Sequence, residues 1–263
     1  MISSLFHGSL TQVQRFLLIM MRVSPVLFMM PLFNARNLPG PLKVGLAMLV
    51  SLVLWPVGSF GVSSFPTDLC GFGFFLVSEL MIGFFLSLSI QLVFAGIQLA
   101  GELIGYEMGL SMASTVDPQS GVDNTLIAQI YYLLSLLIFL SINGHHWFFR
   151  TLVESFELLP PGEIFLRGGL YRHLLDLSGR MFLIALKIAA PVMAILFFAK
   201  VTLGILARAV PRVNILMDSL PVTIGLGLIF VGLSLDLLWP YLRGLFEESG
   251  RGMVTILLPL MRR

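Results

Sequence analysis

The sequence predicts an all-α protein whose helices are associated with a membrane. Of its 263 residues, 57% are hydrophobic and only 11% are charged, whereas a soluble globular domain carries about 25% charged residues. Several apolar runs reach the ~20 residues that a helix needs to cross a bilayer. One soluble core of this size could not bury so much apolar sequence, so the chain is either a multi-pass membrane protein or a subunit of a membrane-associated assembly.

The first apolar segment covers residues 13–33. Arg15 and Arg22 lie seven residues apart in it, and therefore on nearly the same face of a helix. Pro25 and Pro31 are expected to kink or end this helix, because proline lacks the backbone N–H and its ring crowds the preceding turn.

A second apolar segment covers about 42–58 and is expected to stop at Trp55-Pro56. The third, 69–100, is interrupted only by Glu79 and a few serine and glutamine residues. It is longer than one straight span needs, yet it has no break that would divide it into two. We expect a helix that is steeply tilted, or that stands partly outside the bilayer against protein.

Three further apolar segments are predicted at about 125–142, 181–207 and 219–240. A polar, amphipathic region at 145–180 separates the first two of them. Trp239 and Pro240 are expected to close the last one, and a charged tail follows.

A stripe of glycines ends the third helix. Gly101, Gly105 and Gly109 are spaced four apart, so they form a face without side chains that lets another helix approach to backbone contact. Glu102 and Glu107 lie beside this stripe. After Gly109 the helical pattern stops.

The residues after the stripe predict a short polar loop. Ser111 and Thr115 lead into Asp117-Pro118, and a proline disfavours the helical conformation at the residue before it. Met112 is the single large apolar residue in the middle of this loop.

Ionisable residues inside the apolar segments indicate that the helices mostly face protein or water. They are Arg15, Arg22, Glu79, Lys187 and Lys200. A charge that faces lipid near the bilayer centre costs about 2.5 to 3.5 kcal/mol on insertion scales. Long side chains near helix ends can instead reach the interface, an alternative that suits Arg15 and Lys200 better than Glu79.

Enzyme motifs are nearly absent from the sequence. It contains no HExxH motif, no P-loop and no dinucleotide fingerprint, and the single Cys70 leaves no disulfide within the chain. The nearest pattern is Gly109 to Met112 with His145-His146, which resembles the serine and histidine of a rhomboid-type protease in a few common residues only. We therefore predict no enzyme, cofactor or metal site.

The residues bear differently on two other classes of function, nucleic-acid binding and small-molecule transport. A net charge of +2 is too small to indicate nucleic-acid binding. A small-molecule secondary transporter stays open as an alternative, because such proteins also carry intramembrane charges and broken helices. Transporter halves match one another, however, whereas here the first half is acidic around its longest helix and the second half is basic.

Four blocks of the chain resemble the FliR family of flagellar biosynthetic proteins, whose virulence counterparts are the T-type export subunits of type III secretion systems. The blocks are VSPVLFMMPLFNARNLPGPLK, GELIGYEMGLSMASTVDPQSG, SINGHHWFFRTLVESFELLP and KIAAPVMAILFFAKVTLGILARAVPRVNILMDSLPVTIGLGL. Two places depart from the family pattern. Arg212 follows Pro211 where glutamine is frequent, and Met112 and Thr115 stand in a loop that is often rich in phenylalanine.

The resemblance implies a structural role at the flagellar basal body in the bacterial inner membrane. One copy of such a chain joins several FliP-like and FliQ-like subunits in a helically arranged, all-α export gate, which works with FlhB-like and FlhA-like proteins. Residues 1–180 would be the FliP-like helical part, and 181–263 a FliQ-like helical hairpin with a charged tail. Much of this assembly is raised toward the periplasm. Whether the system is flagellar or virulence-type stays open, with flagellar favoured.

The resemblance further implies that the loop at 109–121 is a plug that narrows the pore for unfolded export substrates. A hydrophobic constriction blocks ions by dewetting. We expect Met112 to be the main apolar plug residue, although it could instead pack as core. Gly109 and Gly121 would be hinges, and Asp117-Pro118 would fix the turn between them. The predicted plug residues are Gly109, Leu110, Ser111, Met112, Thr115, Asp117, Pro118 and Gly121.

Two further groups are expected at contacts with neighbouring subunits. Gly101, Gly105, Glu102 and Glu107 would pack against neighbouring gate helices, with an acidic lining near the pore entrance as the alternative role of the two glutamates. The charges expected at subunit interfaces are Arg22, Glu79, Lys187, Lys200 and Arg208.

Overall fold

The fold is known from a computed structural model, which describes residues 2–33, 39–56, 68–110, 125–160, 162, 168–209 and 215–261. Within these ranges every regular element is helical, so the all-α prediction is confirmed. The helices are α1 (Ile2–Met29), α2 (Gly40–Leu54), α3 (Leu69–Met108), α4 (Leu126–Ser141), α5 (Gly144–Leu158), α6 (Gly168–Ala209) and α7 (Ile215–Gly252). A π-helical turn (Met253–Leu257) and α8 (Leu258–Met261) follow.

Several predicted boundaries are confirmed. α2 ends at Leu54, directly before Trp55-Pro56. α3 is one uninterrupted helix of 40 residues, as its continuous apolar sequence predicts. α4 begins after Thr125, whose hydroxyl accepts a hydrogen bond from the N–H of Ala128 and so caps the first turn.

The predicted end of the last apolar helix is wrong. α7 continues through Pro240 to Gly252. A proline inside a helix removes a single backbone hydrogen bond and bends the chain without having to end it. On both sides of Pro240 the helix is held by burial, since Leu238, Leu242 and Phe246 are at most 6% exposed. The packing of these side chains therefore outweighs the local tendency of Pro240 to end the helix.

In the part of the chain that the structure describes, three helices are long and apolar enough to cross a membrane: Cys70–Met108, Gly169–Arg208 and Ser219–Met261. α4 and α5, which are separated by a bend at Asn143, together make a fourth candidate. Asn143 takes a left-handed conformation with φ of 57°, which asparagine tolerates better than most residues. Among the described residues, the six predicted apolar segments thus correspond to three or four candidate spans.

The chain forms two compact units. The first comprises residues 1–92, 143–177 and 247–263, and α1 packs against α2 within it. Gly83 of α3 is in the same unit and lies against the backbone of Arg22 in α1, where a side chain on the glycine would collide with the Arg22 carbonyl.

The second unit comprises residues 93–142 and 178–246. Its core is an aromatic cluster around Phe94, whose ring centre lies 5.6 Å from that of Phe139 and 5.2 Å from that of Phe246. The division at residue 180 into FliP-like and FliQ-like parts stays a prediction.

Candidate functional site

The end of α3 coincides with the predicted start of the plug loop. α3 ends at Met108, and Gly109 has φ of +85°, a left-handed conformation that glycine adopts without steric cost. The N–H of Gly109 donates to the carbonyl of Tyr106 at 3.0 Å, and the N–H of Leu110 donates to that of Gly105 at 3.0 Å. This pair of hydrogen bonds is a Schellman motif, which satisfies the last carbonyls of the helix.

α7 holds this end of α3 in place. Met108 is fully buried, and its side chain fills the space beside Gly227, where a Cβ would lie 2.5 Å from the Met108 Cγ. The hydroxyl of Thr223 lies 3.2 Å from the carbonyl oxygen of Met108 and can donate to it. Leu220, one turn earlier, lies close to Gly109.

The residue that follows the loop returns to the same end of α3. Thr125 donates to the carbonyl of Gly101 at 3.3 Å. A Cβ on Gly105 would lie 2.6 Å from the Thr125 hydroxyl oxygen, and one on Gly101 would lie 2.5 Å from the Cα of Ala128. The beginning of α4, a helix of the same chain, therefore packs directly against the first two glycines of the stripe.

The two glutamates beside the stripe contact groups within the chain. Glu107 forms an ion pair of 2.5 Å with Lys200 of α6, and these side chains are 30% and 45% exposed. Glu102 accepts a weak hydrogen bond of 3.4 Å from the amide of Gln98. For Glu107, one polar partner is thus supplied by this chain. The expected contacts of both residues with neighbouring subunits stay predictions.

Most of the predicted plug residues lie outside the described part of the chain. They are Ser111, Met112, Thr115, Asp117, Pro118 and Gly121. Gly109 and Leu110 are described, and they form the helix stop given above. The plug itself stays a prediction, whereas its two attachment points, at residues 108–110 and at Thr125, are described by the structure.

A separate charged cluster is buried in the first unit. The guanidinium of Arg22 in α1 donates to both carboxylate oxygens of Glu79 in α3, at 2.6 and 3.0 Å, and both side chains are fully buried. It also donates to the hydroxyl and carbonyl of Ser155 and to the carbonyl of Leu159. Glu79 accepts a further hydrogen bond from the N–H of Gly162.

The partners of Arg22 and Glu79 differ from those expected from the sequence. We expected each charge to meet a neighbouring subunit, but these two meet each other within the chain. Phe156 lies beneath the guanidinium, with its ring centre 4.2 Å from the Arg22 Cζ. Because Ser155 and Leu159 lie at the end of α5, Arg22 also places a positive charge where the last carbonyls of that helix need donors.

The other three residues predicted at subunit interfaces have exposed side chains in the single chain. Lys187 and Lys200 lie along α6 and Arg208 lies near its end. Lys200 has Glu107 as its partner. Contacts of all three with neighbouring subunits stay predictions. In the described part of the chain, no group of three or more His, Cys, Asp or Glu side chains is arranged to hold a metal ion.

Sequence reasoning missed Thr223 and Gly227, which hold Met108. Both are small, and they lie four residues apart on α7, so the spacing that marks the stripe on α3 also occurs here. That spacing could have identified the face of α7 that packs closely. It could not have identified Met108 as the residue packed against it.

Known proteins are similar to this chain over most of its length. The family model of bacterial export proteins, family 1, matches residues 13–249. The flagellar biosynthetic protein FliR of Escherichia coli (strain K12) is 32% identical over 92% of this chain and 93% of its own length. FliR of Bacillus subtilis (strain 168) is 30% identical over 92% and 94%, and FliR of Aquifex aeolicus (strain VF5) is 29% identical over 86% and 87%.

Proposed function

The chain belongs to family 1 of the bacterial export proteins, and we propose that it is a structural subunit of the gate through which the flagellar export apparatus passes unfolded proteins. Its likeness to FliR proteins over nearly their whole length supports a component of that apparatus in the inner membrane. In this role the chain has no catalytic activity. It joins FliP-like and FliQ-like subunits, works with FlhB-like and FlhA-like proteins, and is partly raised toward the periplasm.

The gate proposal rests on the observation that both ends of the segment between α3 and α4 are held at the end of α3. On one side Met108 is buried against Gly227, and on the other side Thr125 donates to the carbonyl of Gly101. A segment whose two ends are held together can move without unfolding the helices that carry it. This arrangement suits a plug, which must close the pore at rest and open when a substrate enters.

The proposed mechanism follows from the residue types of the loop. Met112 is apolar and flexible, so it can fill an irregular gap between neighbouring loops. A narrow apolar ring loses its water and then blocks ions. An unfolded chain that enters from the cytoplasm displaces the ring, while the Schellman glycine Gly109 lets the loop swing away from α3.

The exposed apolar surface of the chain supports an assembly with other subunits. Within the chain, 61% of the most apolar stretch of α3 is buried, against 33% for α6 and 22% for α7. Large apolar side chains on these two helices are exposed, among them Phe182, Phe197, Phe198, Ile229 and Leu233. In the proposed gate, neighbouring helices cover much of this surface.

The plug assignment is tested by replacing residues 110–116 with glycine and serine. We expect the inner membrane to become leaky to ions while export of flagellar proteins continues. The replacement removes the apolar seal, but glycine or serine at position 110 keeps the backbone N–H that bonds to Gly105, and Thr125 is unchanged. Conductance is measured in cells or in liposomes that contain the assembled gate. The matched control replaces residues 57–63, a stretch of equal length, and should not raise conductance. Unchanged conductance in the 110–116 variant would remove the plug assignment.

The subunit assignment is tested by native mass spectrometry of a tagged chain that is co-expressed with its FliP-like and FliQ-like partners. We expect one large complex that contains a single copy of this chain. A monomer or homodimer that is well folded in detergent and transports a small solute in liposomes would instead favour the transporter alternative.

A further inference from the structure

A cavity of about 330 Å³ lies between α6 and α7 in the second unit. Its lining residues are Lys187, Ile188, Pro191, Ser234, Leu237, Leu238 and Tyr241. The volume is at the small end of the range for sites that hold organic groups. Its walls are mostly apolar, and among the described lining residues Lys187 alone carries a charge.

Lys187 has no partner for its charge among the described residues of the chain. It lies within the candidate span Gly169–Arg208 and is exposed. An ammonium group in that setting is costly unless it meets water or an opposite charge. No aspartate or glutamate is among the described residues that line the cavity, so these residues supply no counter-charge to Lys187.

Pro191 lines the cavity one turn after Lys187 in α6. Its ring is apolar and has no N–H, so it supplies no counter-charge to the ammonium of Lys187. Hydrocarbon lipid tails could not supply one either.

We propose that this cavity receives the carboxylate of an aspartate or glutamate from an apolar helix of a neighbouring subunit. The exposed apolar residues that flank the cavity on α6 and α7, such as Leu186 and Leu233, offer such a helix a surface to pack on. The carboxylate accepts from the ammonium of Lys187 as it enters. The inference rests on the proposed function in one respect, since it requires a neighbouring subunit.

A lipid phosphate fits the cavity less well than a carboxylate. Anionic headgroups are held by clusters of basic residues, whereas the described lining of this cavity contains a single basic residue. The hydroxyl of Ser234 is already engaged, because it donates to the carbonyl of Val231 and lies 3.4 Å from the hydroxyl of Tyr131. One point charge beside largely apolar walls suits a single carboxylate on an apolar helix.

Zero-length cross-linking tests the proposal directly. Dicyclohexylcarbodiimide activates carboxylates inside membranes, and a lysine amine in contact with one forms an amide while the carbodiimide takes up the released water as a urea. In the complex isolated from the bacterial membrane, we expect a peptide that contains Lys187 to be joined to an Asp or Glu of another protein. Lys187→Arg keeps the positive charge without a reactive amine, so the complex should persist and this cross-link should disappear.

Neutralisation of the charge tests its contribution to assembly. Lys187→Met should lower recovery of the complex about tenfold or more, because removal of one partner from a desolvated charge pair leaves the other unpaired. Arg172→Met, at an exposed position nearer the start of α6, is the matched control and should leave recovery unchanged.

Other outcomes separate the alternatives. Three results would overturn the inference. A cross-link from Lys187 to Asp236 or another acid of this chain would show a partner within the chain, and full acetylation of Lys187 in the complex by a water-soluble reagent would show that it faces water. Loss of bound phospholipid phosphate in Lys187→Met would show that the cavity holds a lipid. A complex that contains the neighbouring proteins but yields no Lys187 cross-link overturns the inference alone. Recovery of the wild-type chain by itself overturns the proposed function together with it.

Discussion

Arg22 illustrates how a cation is accommodated in an apolar fold. A guanidinium has five N–H donors, and the described contacts provide five acceptors: two oxygens of Glu79, two of Ser155 and one of Leu159. A buried ion pair is not by itself stabilising, because desolvation offsets the attraction between the charges. Removal of one partner is different, since it leaves the other charge buried without compensation.

We therefore expect Glu79→Ala to lower the free energy of unfolding by about 3 to 5 kcal/mol. The double variant Arg22→Met/Glu79→Leu should recover a large part of that loss, because it leaves no unpaired charge. Chemical denaturation of the detergent-solubilised chain measures both variants.

The exposed pair between Arg150 and Glu154, with an N–O distance of 2.9 Å, is the matched control. Its arginine side chain is 80% exposed, and pairs of this kind on a helix contribute about 0.3 to 0.5 kcal/mol. If Glu79→Ala cost no more than Glu154→Ala, the buried network would not contribute to the stability of the fold.

At the scale of single elements, α3 carries two kinds of glycine. Gly73 has open space where a side chain would stand, whereas Gly101 faces the backbone of Ala128 in α4. In a helix interior, alanine is favoured over glycine by about 0.5 to 1 kcal/mol. The effect of a Gly→Ala change along this helix is therefore decided by what packs against each position.

We expect Gly73→Ala to stabilise the chain by about 0.5 to 1 kcal/mol. Gly101→Ala should destabilise it by about 1 to 3 kcal/mol, because the added methyl group pushes α4 away from α3. Thermal unfolding of the two variants and the wild type shows whether the change in stability is positive for Gly73→Ala and negative for Gly101→Ala. Equal effects would show that the contact between α3 and α4 does not depend on a bare glycine.

Thr125 connects the start of α4 with the base of the loop. Thr125→Ala removes the cap and should cost about 1 kcal/mol, with faster hydrogen exchange in the first turn of α4. Thr125→Ser keeps the hydroxyl and should behave nearly as the wild type. If serine lost as much stability as alanine, the hydroxyl would not be the stabilising group.

At the scale of the whole molecule, its apolar helices decide where the chain resides. Three described helices are long and apolar enough to span a bilayer, and much of their surface is not covered within the chain. Such surface must meet lipid, or the apolar helices of other subunits.

We expect the chain to stay in the membrane pellet after a wash with alkaline carbonate, because spanning helices are held by burial in hydrocarbon and not by ionic contacts. Immunoblotting of pellet and supernatant measures this, with a peripheral flagellar protein as the control. Release of the chain into the supernatant would mean that no helix spans the bilayer.

The sequence by itself determined the class of the fold, the main helices and the place where α3 ends. These features follow from composition, from the length of apolar runs and from glycine or proline at particular positions, all of which act on neighbouring residues. Gly109 stops α3 and Thr125 caps α4 for local reasons of this kind. The resemblance to the FliR family also followed from the sequence alone.

Only the tertiary structure decided which distant groups meet. It paired Arg22 with Glu79, placed Met108 against Gly227, and carried α7 past Pro240. A charge inside an apolar run shows that a partner is needed, but many partners would satisfy that need. The choice depends on packing between residues far apart in the chain. Packing also keeps α7 helical through Pro240, although the local preference of proline is to end a helix.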